Sequence, residues 1–309
     1  PEVYDPAPID DELVQLRPFV PPVPVVSFFL DLPLLRGDEV PHAPFIAATA
    51  QPWPGAVAVY QSATDANYLL NSILPTRATI GVTQSAMGAG CVGLIDRGEV
   101  LEIKLTSGTL ESVTMDALLS GANLAAIGDG SSDNWEVFQF SNAELVAPNT
   151  YWLKNRLRGQ AGSDGLMPEV WPVGSTFVLL NGVPLQIELS PNLRRVAQHY
   201  RIGPARRGAD DPSYRHLMRA FDGNGLRPLS PSHLSGTIST NGDRTFSWIR
   251  RTRVDGDSWD SPEVPLGEES ESYLVRVLQG ETVLRETLVD TATWTYSEAE
   301  QIADGSGAD

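Results

Sequence analysis

The stretch TYWLKNRLRGQAGSDGLMPEVWPVGSTFVLL, residues 150–180, restricts the fold more than any other part of the chain. Tyr151, Leu153 and Leu157 alternate with Lys154, Arg156 and Arg158, and this period of two predicts a half-buried strand with its charges turned outward. Gly159, Gly162 and Gly165 end the alternation in a polar loop, where glycine can take positive φ without steric cost. Residues 177–180, FVLL, are wholly apolar, as a strand covered on both faces must be. Asn181-Gly182 favours a type I′ hairpin, and Leu185, Ile187 and Leu189 then alternate as its return strand.

The same short-range pattern recurs on both sides of this stretch, and no helical period is sustained for long. Residues 25–35 predict a strand that Pro33 confines to an edge or an end. Residues 56–60, 78–82, 100–105, 135–140 and 143–146 are further strands, and Ser107-Gly108 predicts a hairpin onto 110–115. Residues 117–127 fit a helical turn or a loop equally well. The expected fold is therefore mainly β, with a proline-rich connector over 1–24 and a multi-stranded β domain over 25–198. An arginine-rich linker follows over 199–227, with one short helix at 212–221. Residues 228–309 alternate again, and Phe246, Trp248, Trp294 and Tyr296 supply an aromatic face. They predict a small sandwich like fibronectin type III, with five strand candidates where that fold has about seven. The polar end after Ser297, with Ile302 its one sizeable apolar residue, cannot supply the missing strands. The expectation is that further chain or another subunit completes the sandwich.

Charge narrows the function. A net charge of −17 opposes general affinity for nucleic acid. The arginines nevertheless crowd one segment, and Arg194, Arg195, Arg206 and Arg207 are candidates for docking onto an acidic neighbour. No apolar run is long enough to span a bilayer. With Cys91 as the single cysteine, no intrachain disulfide and no cysteine-based metal cluster can form. GAGCVG at 88–93 has the letters of a dinucleotide fingerprint, but a strand follows it instead of the helix that would hold a pyrophosphate, so no cofactor is expected. Asp255, Asp257 and Asp260 are the candidates for a metal, although Asp-Gly turn chemistry accounts for the same letters. Asp129 and Asp133 suit a hairpin loop. His42, His199, His216 and His233 are scattered and form no catalytic motif. Trp53, Trp152, Trp171 and Trp259 are the aromatics that could stack on sugar rings.

A resemblance joins several of these segments. LRGQAGSDG with the later Gly174 and FVLL, residues 200–204, AFDGNGLRPLSPSHL at 220–234, SWIRRTRVDGDSW at 247–259 and VPLGEES at 264–270 are together similar to tail-tip proteins of long-tailed phages. In particular they resemble the large baseplate protein of gene transfer agents, itself similar to phage host-specificity and tail-hub proteins. The resemblance covers most of the chain and matches the C-terminal portion of that much larger protein. It implies a virion structural protein and not an enzyme, assembled in the bacterial cytoplasm as a homotrimer with other tail and baseplate proteins and released in the particle. It further implies roles in closing the tail end, in attachment to the host cell, where a surface glycan would be a partner, and in DNA delivery. The alternative is a carbohydrate-binding, fibronectin-like accessory module of a secreted hydrolase, which would need several coplanar exposed rings.

Overall fold

Six antiparallel strands close into a barrel at the centre of the molecule. In the computed structural model, which describes residues 23–253 and 265–305, Trp135–Ala147 neighbours Leu124–Gly128, followed around the wall by Thr176–Leu179, Ile80–Thr83, Leu101–Leu105 and Thr150–Leu157. The last of these pairs back onto Trp135–Ala147, so the barrel strands have no free edge along the closure. Alternation decides what fills it. Leu101, Ile103, Phe138, Phe140, Leu153 and Phe177 point inward and form one core. Ile80, Ala126, Val137 and Val178 point outward yet are also buried, under Leu30 and Ala47 of a second sheet. This is why Thr176–Leu179 is apolar on both faces, as the sequence predicts.

Two further sheets flank the barrel. Val26–Leu30, Phe45–Thr49 and Leu185–Gln186 form one. Arg215–Arg219, Gln198–Pro204, Val57–Ser62 and Leu69–Leu74, in that order, form the other. Phe29, Ile46, Val59, Tyr200, Ile202 and Phe221 pack into a core shared by these two sheets. The buried Asp31 carboxylate then accepts the backbone N–H groups of Gly223 and Asn224, both at 2.8 Å, and latches the following turn onto the first sheet.

Several expectations change here, and for a common reason. Gly182 does turn the chain at φ +82, but Leu185–Gln186 pairs with Phe45–Thr49 and does not return along Thr176–Leu179. Both edges of Thr176–Leu179 are already taken by Ile80–Thr83 and Leu124–Gly128. Likewise Gly108 turns at φ +90, yet residues 110–114 form no strand, because Leu101–Leu105 is already paired on both sides. The short helix Met115–Leu119, capped by Thr114, and the strand Leu124–Gly128 resolve the open choice at 117–127. Trp135–Ala147 is one continuous strand where two were expected. The expected linker carries the strands Gln198–Pro204 and Arg215–Arg219, and 212–221 holds no helix.

The charged face of Thr150–Leu157 is also corrected. Lys154 reaches solvent, but Arg156 and Arg158 are buried. Arg158 donates through Nε and Nη2 to the two oxygens of Glu136 at 2.6 and 2.8 Å, and through Nη1 to the carbonyl of Gly88 at 2.7 Å. Glu136 accepts in addition from Trp171 Nε1 at 2.7 Å and from the N–H of Gly159 at 3.2 Å. Asp96 takes Arg156 at 2.9 Å. The GAGCVG segment serves this network, since a Cβ on Gly90 would lie 2.8 Å from the Arg158 side chain.

In the glycine loop, Gly159 and Gly162 take positive φ, at +58 and +79, while Gly165 does not. A Cβ on Gly159 would meet Asp164 Cβ at 2.8 Å. Gly159→Val is therefore expected to cost more than about 1 kcal/mol, read as a lowered thermal midpoint; an unchanged midpoint would mean that the loop can relax around a side chain.

Candidate functional site: an open groove between two small sheets

The C-terminal unit has the five strands expected, split between two sheets. Ser232–Ile238, Arg244–Ile249 and Thr293–Tyr296 form one, and Tyr273–Gln279 pairs with Thr282–Val289 in the other. Alternation places Phe246, Trp248, Trp294 and Tyr296 on one face, with Phe246 directly across from Trp294. Ring and charge contacts join the sheets. The Trp248 ring meets Tyr273 edge-on at 5.1 Å. Arg285, over the Tyr296 ring, bonds to Glu300 and Asp304 of the C-terminal helix segment at 3.1 and 2.7 Å. That helix, Glu298–Ala303, is fixed by a capping box between Ser297 and Glu300.

A groove of about 920 Å³ runs between the sheets, lined by Leu229, Leu234, Phe246, Leu278 and Trp294 among others. Leu234 is 76% exposed and Leu278 57%. Among the described residues its lining includes Arg227, Arg244 and Arg276, the last paired with Glu286 at 2.7 Å, and no carboxylate lines it directly. Among the described residues, Ser232–Ile238, Thr293–Tyr296 and both strands of the second sheet pair along one edge only. Such a groove suits an extended apolar segment with acidic flanks, which would find apolar walls, unpaired strand edges and guanidinium groups together.

The arginine candidates do not form one patch. Arg194 and Arg195 precede the strand Gln198–Pro204, and Arg206 and Arg207 follow it, about 20 Å apart along a strand of that length. Arg195 pairs with Asp222 at 3.0 Å and Arg207 with Asp211 at 2.8 Å. Hydrogen bonds from Ser213 and from Arg207 hold Asp211 down at about 2. Arg194 and Arg206 are exposed. Asp255, Asp257 and Asp260, like Trp259, lie outside the described residues.

Of the other tryptophans, Trp171 is buried on Glu136, Trp53 packs against the core of the flanking sheets, and Trp152 is half-exposed with Lys154 over its ring. Asp129 is tied into its hairpin by Ser131 and Asn134, both at 2.8 Å. Cys91 is exposed. No helix of the described residues is long and apolar enough to cross a membrane. Sequence reasoning missed one grouping. His199 and His216, far from each other in its reading, are brought together with Asp65. The available signal was the alternation HYRIG, which marks a strand and so sets His199 and Arg201 on one face.

Comparison with known proteins adds one match. No curated protein matches the chain. Residues 78–178, about a third of the chain, match the family model described as Rcc01698-like, C-terminal, and that region is the six-stranded barrel up to the residue before its last.

Proposed function

We propose that the chain is a structural, non-enzymatic part of the tail tip or baseplate of a phage-like particle, such as a gene transfer agent. In that role it helps to close the tail end and to engage the host cell before DNA delivery. The observation that carries the reading is the groove of the C-terminal unit. An apolar channel, with no carboxylate among its described lining residues and with unpaired strand edges, suits a protein neighbour better than a small substrate. The closed barrel beside it offers a rigid body on which such a contact can be held. The sequence segments similar to baseplate proteins of gene transfer agents support the same reading and suggest a trimer around the tail axis. The carbohydrate-binding alternative gains nothing from Trp171, which is buried, or from Trp53, which packs on a core.

The test is to locate the chain in released particles by gold labelling and electron microscopy, beside a Leu234→Glu/Leu278→Glu variant. Label at the tail tip for the wild type, with loss of incorporation for the folded variant, is the expected outcome. Particles without label, or a variant incorporated as well as the wild type, would overturn the reading.

A further inference from the structure

On the outer face of the four-stranded sheet, Gln198–Pro204 and Arg215–Arg219 pair so that Arg201 lies opposite His216 and His199 opposite Met218. His199 and His216 are thus diagonal neighbours on one face, while Tyr200 and Ile202 fill the core behind them. Their rings are stacked, 7° from parallel, and His199 Nδ1 lies 3.0 Å from His216 Nε2. Asp65 comes from the turn between Val57–Ser62 and Leu69–Leu74, where it takes a left-handed φ of 55. Its Oδ1 lies 3.7 Å from His216 Nε2, and one ligand atom from each of the three residues lies within 4.8 Å of the others.

We propose that Asp65, His199 and His216 bind a divalent transition-metal ion, zinc by preference, in a site open to solvent. Two imidazoles and a carboxylate are the ligand types that such ions take. A tetrahedral ion at about 2.0–2.1 Å from each ligand needs them about 3.3 Å apart, close to two of the separations on this face. The third shortens by rotation of half-exposed side chains. The hydroxyl of Tyr68 donates to Asp65 Oδ1 and fixes the carboxylate beside His216. Arg201 sits 3.3 Å from the same oxygen and would repel an ion, but it is also held by Asp210 at 2.8 Å and by the Tyr68 ring. Asp65 and Asp210 both bond to Arg201, so its charge is shared between two carboxylates. A bound ion would tie the turn at Asp65 to two strands distant from it in sequence and so act as a clip on the sheet.

The test is calorimetric titration of the full, tag-free chain with zinc chloride, with magnesium chloride as control, together with thermal melts. One saturable zinc site per chain is expected, with a raised melting midpoint. His199→Ala and His216→Ala should each weaken zinc by about tenfold or more and abolish the rise, whereas His233→Ala should change neither. Both target side chains are outside the core, and melts without metal check that the variants fold. Absence of saturable zinc binding, or equal binding by His216→Ala and the wild type, would overturn the proposal. Equal binding of magnesium would do so too, since that ion does not favour imidazole.

Discussion

Arg158→Met should destabilise the protein by about 3–5 kcal/mol, because it leaves Glu136 as a buried charge without its partner. Both side chains are 0% exposed and their contact is a two-pronged one. Glu136→Leu should cost a similar amount and also orphan the Trp171 indole N–H. The double variant Glu136→Leu/Arg158→Met should recover a large part of the loss, since it removes both charges from a site that water does not reach. Urea unfolding followed by tryptophan fluorescence measures all three, with Trp171 reporting from inside the network. Strictly additive losses in the double variant would show that the pair is not coupled.

Phe177→Ala should cost about 3–5 kcal/mol by opening a cavity in the barrel. Its ring lies 6.2 Å from that of Phe138 and 6.5 Å from that of Phe140, and closed walls surround all three. A closed barrel has little freedom to collapse onto the space, so the upper part of the range applies. Phe246 is the control. It is 37% exposed at the groove, and Phe246→Ala should cost clearly less in the same unfolding assay. Equal costs for the two would mean that the groove is already closed in solution.

The strands were largely legible in the sequence because alternation is local. Five strands in the C-terminal unit stand where the period of two puts them, and the apolar run at Thr176–Leu179 is buried on both faces. Partner choice was not legible. Asn181-Gly182 and Ser107-Gly108 carry hairpin chemistry, yet the strands before them had both edges filled by segments from elsewhere in the chain. Arg156 and Arg158 read as solvent-facing because their counter-ions, Asp96 and Glu136, lie on other elements. The same holds for the histidines. His199 and His216 meet only because the strands that bear them pair, and Asp65 only because its turn closes beside them. Of the groove, only the aromatic face of Phe246, Trp248, Trp294 and Tyr296 was legible. Its arginine-lined wall emerged only once both sheets were in place.

The pairing of the first and last barrel strands bears on the order in which the chain folds. Ile80 lies opposite Val178, so the barrel begins and ends at one spot on its own wall. The flanking sheet joins Val57–Ser62 from before it to Gln198–Pro204 from after it. In an unfolded chain that pairing must close a loop of more than about a hundred residues. Once the barrel exists, only its short leads remain to be closed, which lowers the entropic cost by about 1 kcal/mol. The barrel, whose core comes from its own stretch of sequence, is thus placed to form first and to act as a splint on which the outer sheets assemble.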